Sequence, residues 1–253
     1  MCEVVRLLHL SPTVAAPARD HLIARLRTAT AGPARRVLIQ PTLPGVRNGG
    51  DILLRLRFDD HAYGVAEPGP AAAVAPDLAA YAAAVPVGSA GTAATRSAGG
   101  RSSRDFGVAQ LDALLADAAV THVDGAEYCT GVGGFTEPRT PGSIYRVLLL
   151  RVAPDTPPRT IERFEADLLR MPHYIDTIRT WQLSRVTRAI GTSPWTHAWA
   201  QEFTDLTGLN GPYLMHPVHW AHVDRWFDPE CPEAIVHDRV CHSFCANEPT
   251  YLA

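Results

Sequence analysis

Apolar and polar positions along the chain fall into two similar series. Val4 to Leu10 is a short aliphatic run closed by Ser11-Pro12, which reads as a strand. Ala18, Leu22, Leu26 and Ala29 then recur at helical spacing, and Gly32-Pro33 ends that helix. Arg35 to Thr42 and Asp51 to Phe58 read as two strands, with turn residues Pro44-Gly45 and Asn48-Gly49-Gly50 between them. Further on, Leu111, Leu114 and Leu115 mark a short helix and Val120 to Thr130 a strand. Gly131-Val132-Gly133-Gly134 lacks the Lys-Ser/Thr and the spacing of a phosphate-binding loop, and reads as a plain loop.

The series restarts at Ile144. With a shift of 142 residues, Val5, Leu7, Leu8, Leu10 and Pro12 fall on Val147, Leu149, Leu150, Val152 and Pro154. Ile161, Phe164, Leu168 and Leu169 form the matching helical stripe. Trp181–Val186 and Thr196–Phe203 read as strands, and Ile235 to Phe244 as the closing one. Each half thus predicts strand, helix, strand, strand, helix, strand, the order of the ferredoxin-like unit. Such a unit leaves one sheet face bare, and two packed sheets bury it. The expected fold class is α+β, two ferredoxin-like repeats forming an intramolecular dimeric α+β barrel. The expected domains are 1–64 with 105–140 as the N-terminal repeat and 141–253 as the repeat carrying the site. Between them 65–104 is an Ala/Gly-rich insertion, with an Ala-rich helix near Pro76–Ala84.

Composition narrows the classes. Hydrophobic content of 46% and charged content of 19% over 253 residues describe a globular chain with one large core or two small ones. A net charge of -3 without a basic run argues against a nucleic-acid partner. No apolar run reaches the ~18 residues of a membrane span, and the N-terminus reads as a strand rather than a signal peptide. Five cysteines at irregular spacing argue against a disulfide framework, so reduced thiols and a cytoplasmic location are expected. Cys241 and Cys245 read as small buried hydrophobes on one strand face, and His173 as a cation at a helix end.

Chemistry concentrates between Phe203 and Glu230. His216, His219 and His222 follow Tyr213 at three-residue spacing, with Trp220 and Trp226 among them. A helix from about Pro217 to Phe227 puts His219, His222, Val223 and Trp226 on one side. With Asp224, Asp228, Glu230 and Cys231 nearby, the three histidines also offer metal ligands. Their spacing lacks the i, i+4 pair of the established helical zinc motif.

From Ile144 to about Phe244 the sequence resembles the stress-responsive dimeric α+β barrel (Dabb) family. The resemblance rests on Glu202-Phe203 followed by Tyr213-Leu214-Met215-His216-Pro217-Val218-His219, a Y-x-x-H-P-x-H pattern similar to polyketide cyclases of that family. It implies that His219 is a base and Tyr213 its partner at a substrate carbonyl. The first half has no such pattern after Phe58, so it implies one site rather than two. The chemistry is consistent: imidazole, with an ordinary pKa near ~6.5, can take a proton beside a carbonyl, and a tyrosine hydroxyl can stabilise the enolate oxygen. Met215, His216, Trp220, His222 and Trp226 are the expected substrate-binding residues.

The expected function is therefore a cofactor-independent lyase or cyclase acting on a small polyketide-like or aromatic carbonyl metabolite. The alternatives are a non-catalytic small-molecule-binding stress protein, and a haem- or metal-dependent enzyme using the histidine cluster. The expected partner is a small-molecule substrate, with no nucleic acid and no membrane, in a monomeric pseudo-dimer or a homodimer.

Overall fold

The computed structural model describes residues 1–32, 34–59, 111–129, 131–136 and 138–247. The expected insertion at 65–104 and its helix near Pro76–Ala84 lie outside them. The first half supplies β1 (Cys2–Leu10), α1 (Ala16–Thr30), β2 (Arg36–Pro41), β3 (Ile52–Phe58), a helical turn over residues 111–115 and β4 (Val120–Cys129). After β5 (Val132–Phe135) come β6 (Ile144–Leu150), α2 (Pro158–Arg170), β7 (Ile178–Arg185), β8 (Arg188–Ile190) and β9 (His197–Phe203). A broken helical stretch, Leu206 to Trp226, precedes β10 (Cys241–Ala246). Among the described residues no helix is long and apolar enough to cross a membrane.

The strands build two antiparallel sheets. Sheet A has the order β2-β3-β1-β4-β8 and sheet B the order β10-β6-β9-β7-β5. Leaving the short strands β5 and β8 aside, both sheets show the same ferredoxin-like order, with the first and third strands of each half at the centre. The short strands exchange: β5 follows β4 out of sheet A and pairs with β7, while β8 follows β7 out of sheet B and pairs with β4. Beyond the opposite edges, bridges Thr42 to Cys245 and Arg47 to His242 tie the sheets together again.

Alternation along each strand decides what every side chain meets. Val5, Leu7 and Leu53 of sheet A pack with Val147, Leu149, Ala198 and Ala200 of sheet B in one cluster between the sheets. The intervening positions turn outward. Val4, Leu8, Leu54 and Leu56 meet Leu22 and Leu26 of α1, and Leu148, Leu150, Trp199 and Phe203 meet Phe164 and Leu168 of α2. The 142-residue shift holds through this sorting: Val5 and Val147 both face inward, Leu8 and Leu150 both outward. Cys241 and Cys245 are buried between the sheets, and burial with nearby Asp124 pushes the Cys241 thiol up to about 12.

Three expectations need correction. The glycine run is strand β5, not loop. A Cβ at Gly134 would lie 2.6 Å from the Trp181 ring and one at Gly133 2.5 Å from the Trp181 carbonyl, so bare backbone is what lets this strand lie against β7. The closing strand begins at Cys241, because the backbone N–H groups of Ile235 and Val236 donate to Trp226 instead of a sheet ladder. Lastly, Cys2 and Cys129 are disulfide-bonded across a sequence separation of 127. They are direct partners in the β1–β4 register, which brings their Cα atoms to 3.9 Å. Denatured, unreduced protein should accordingly titrate three thiols with a thiol reagent, those of Cys231, Cys241 and Cys245, and five after reduction. Five thiols before reduction would rule the cross-link out.

Candidate active site

The outward face of sheet B carries more than apolar packing. Arg146 of β6, Trp199 and Gln201 of β9 and His242 of β10 all occupy outward positions there, and the helical stretch lays Tyr213 and His219 over them. Local chemistry shapes that stretch. Asp205 caps its start by accepting from the Gly208 N–H at 2.7 Å. The helix breaks at His216, the residue before a proline, and resumes at Pro217, whose missing N–H costs nothing in a first turn. His216 caps the new segment: its Nδ1 accepts from the Val218 N–H at 3.1 Å. Leu209–Tyr213 and His219–Val223 are π-helical and Asp224–Trp226 is 3-10, so the expected uniform α-helical face is not kept.

Tyr213 is 1% exposed, and its ring stands edge-on to that of His219 with centroids 4.9 Å apart. Its hydroxyl accepts from Arg146 Nη1 at 3.1 Å, and Arg146 Nη1 also donates to Gln201 Oε1. The hydroxyl's own proton has no acceptor among the described residues. Burial raises the Tyr213 pKa, opposed by the Arg146 guanidinium and the Trp199 indole N–H, so the phenol stays protonated at neutral pH. Arg146 is 5% exposed and has no carboxylate partner among the described residues. Burial lowers its pKa, while the Tyr213 hydroxyl helps to hold the proton. A cation buried without a counter-charge is costly, which makes this position one that needs a reason. Arg146 Nε, Gln201 Nε2 and His242 Nε2 are all buried without a hydrogen-bond partner among the described residues. His219 Nδ1 lies 3.2 Å from Asp224 Oδ1, in ion-pair range but off hydrogen-bond alignment.

The other expected residues scatter. Trp226 is fully buried against α2, donating from Nε1 to Asp167 at 3.0 Å and packing on Phe164. Met215 and Trp220 are exposed, at 74% and 58%. His222 is half-buried and makes no hydrogen bond or ring contact among the described residues. His216, His219 and His222 do not converge as a ligand set. The one triad of metal-ligand type among the described residues is His9, His122 and Asp124 in sheet A. Asp124 already accepts from the Thr192 N–H and hydroxyl, both at 3.0 Å, and from Arg239 at 2.9 Å. Arg146, Gln201 and His242 are the residues that motif reading missed. The signal for Arg146 lay in the repeat, since the 142-residue shift sets it on Val4, a lone cation at an apolar position.

A cavity of about 750 Å³ lies on the opposite, inward face of sheet B, between the sheets at one end. Five arginines and three aromatic rings are among its walls.

His242 gives the cluster a pH signature. Burial, with Arg146 and His219 beside it, lowers its pKa to about 3. An unfolded imidazole titrates near ~6.5, so between those values the unfolded chain binds more protons. Stability from this source is whole above ~6.5 and is lost as pH falls toward about 3, amounting to roughly 2 kcal/mol at pH 5. Urea midpoints at pH 7.5 and pH 5 should therefore converge in His242→Asn relative to wild type. An equal acid loss in both proteins would show that His242 is not held neutral.

Comparison with known proteins places these features. No curated protein matches the chain. Among solved structures, an anthrone oxidase-like protein aligns over 96% of this chain and 89% of its own, with TM-score 0.56 and 9% identity. A putative monooxygenase from Fusobacterium nucleatum subsp. nucleatum aligns over 96% and 90%, with TM-score 0.52 and 9% identity. At such identities the likeness is one of fold. The family model that matches is Dabb, the Stress responsive A/B Barrel Domain, over residues 144–241, the stretch that runs from β6 through the helical segment to the start of β10.

Proposed function

We propose that the outward face of sheet B is the active site of a cofactor-independent enzyme of lyase or cyclase type. Its substrate would be a small carbonyl compound, polyketide-like or aromatic. The observation that carries this reading is Arg146: a buried guanidinium without a carboxylate, donating to a tyrosine hydroxyl whose ring abuts an imidazole. In that arrangement His219 takes a proton from the carbon beside the carbonyl, and the Asp224 carboxylate favours the imidazolium that forms. The Tyr213 hydroxyl, already accepting from Arg146, donates its own proton to the developing enolate oxygen. Arg146 opposes the new negative charge from behind and gains the counter-charge it lacks. Neutral His242 and the Gln201 amide offer further hydrogen bonds to the substrate. The Y-x-x-H-P-x-H resemblance to polyketide cyclases agrees with these roles.

The test follows exchange of α-protons for deuterium in small diketones such as benzoylacetone by NMR. Wild type should accelerate exchange and His219→Ala should abolish the acceleration. Tyr213→Phe should lower it by about 10²–10³, the scale of losing one oxyanion donor. Binding of the diketone without any exchange would leave a binding protein instead, and equal rates in wild type and His219→Ala would end the catalytic reading. Oxygen uptake is worth recording in the same assay, since two fold neighbours carry oxidase and monooxygenase names.

The architecture belongs to the proposal too: residues 1–64 with 105–140 and residues 141–253 act as two units of an intramolecular pseudo-dimer barrel. The cluster joining Val5, Leu7 and Leu53 to Val147, Leu149 and Ala200 supports it. A fragment lacking residues 1–130 keeps all five strands of sheet B but uncovers Tyr145, Val147, Leu149 and Ala200. Light scattering should find it dimeric or aggregated; a well-folded monomer would overturn the barrel.

A further inference from the structure

The cavity between the sheets has a charge balance that packing does not explain. Arg36, Arg55 and Arg57 share two carboxylates. Glu3 takes Arg55 in a bidentate pair, 2.8 Å on each oxygen, and lies 3.1 Å from Arg57 Nε. Glu202 stands 3.5 Å from Arg36 and 3.9 Å from Arg55. Arg139 adds a further guanidinium over the Phe135 ring, 5.0 Å from its centroid, with no carboxylate partner among the described residues. A fifth arginine of the lining, Arg35, is paired with Asp59 at 2.8 Å. Among the described residues the other four stand against two carboxylates, an excess of two positive charges in one cleft inside a chain whose net charge is -3. Burial lowers the pKa of Arg57, repulsion from Arg55 and Arg36 adds to that, and the Glu3 carboxylate opposes it.

The walls say what shape would relieve the crowding. Phe135 faces the cavity beneath Arg139, and Tyr145 beneath Arg55, whose guanidinium carbon is 4.4 Å from the ring centroid. Flat rings backed by cations suit a planar ligand carrying negative charge. The Tyr145 hydroxyl and Arg57 Nε are buried in this wall without a hydrogen-bond partner among the described residues. The volume, about 750 Å³, accommodates a small organic molecule.

We propose that this cavity is a second binding site, separate from the His219 face, for a small flat organic anion carrying carboxylate or phosphate groups. Arg36 and Arg57 are its anion contacts, because Arg55 takes both oxygens of Glu3 while Arg57 meets that carboxylate through Nε alone. The site lies on the inward face of sheet B, so its occupancy does not depend on the proposed catalysis.

Calorimetric titration of the full chain tests it with three probes: benzene-1,3,5-tricarboxylate, phenyl phosphate and neutral benzamide. At least one aromatic anion should bind, benzamide should not, and the tighter anion identifies the head group. Raising the salt concentration should weaken binding. Arg36→Gln and Arg57→Gln should each weaken it by about tenfold or more, the scale of one charged hydrogen bond. Arg163→Gln, on the exposed surface of α2, and His219→Ala should bind as wild type. If Arg57→Gln fails to fold by near-ultraviolet circular dichroism, the more exposed Arg36 decides. Wild type without heat for either anion would overturn the proposal, as would a folded Arg36→Gln that binds unchanged or benzamide binding as tightly as the anions.

Discussion

Burial of two bare sheet faces against each other is the constraint on which the rest depends. A ferredoxin-like sheet covers one face with its own helices and leaves the other open to water. Here one chain supplies both sheets, and the inward aliphatics of β1, β3, β6 and β9 close that gap. Once this is fixed, a one-residue slip in any central strand would turn its inward set outward. Register therefore assigns each polar residue to one of two compartments. In β6, Tyr145 goes inward to the arginine cavity and Arg146 outward to Tyr213. In β9, Glu202 goes inward to Arg36 and Gln201 outward to Arg146.

Much of this frame was legible in the sequence because it is carried by local periodicity. Val5, Leu7 and Leu8 repeat as Val147, Leu149 and Leu150, and each pair shares its compartment. The Phe164–Leu168 stripe needs only helical spacing to be read. The meeting of Tyr213 with His219 was likewise visible, since six residues across a helix start can converge.

What escaped reading depends on register between distant strands. Nothing near Cys2 or Cys129 announces that they are partners; only the β1–β4 ladder does. The strand β5 hides in a glycine run because its stability comes from contact with β7, not from its own propensity. The expected α-helical face failed for a subtler reason. Pro217 and the π turns re-aim the residues, so Trp226 becomes a core anchor on Asp167 while Trp220 points to solvent.

The two halves differ most in how they treat buried charge. On the outward face of sheet A, Arg6 is paired with Glu127 at 2.7 Å, and Arg188 reaches the same carboxylate at 3.1 Å. Arg6 thus has a carboxylate beside it, shared with Arg188, and the position matching Arg146 is Val4. Sheet B has the reverse arrangement: the 142-residue shift sets Leu148 on Arg6, and Arg146 stands without an acid. The outward face of sheet B, which leaves one nitrogen each of a guanidinium, an amide and an imidazole without hydrogen-bond partners among the described residues, is a place where something brought from outside would complete the bonding. The same logic holds on the inward side, where carboxylates are too few for the arginines around them. Both proposed sites are thus places where the fold stops satisfying itself, and both call for a ligand with negative charge, standing in one and developing in the other.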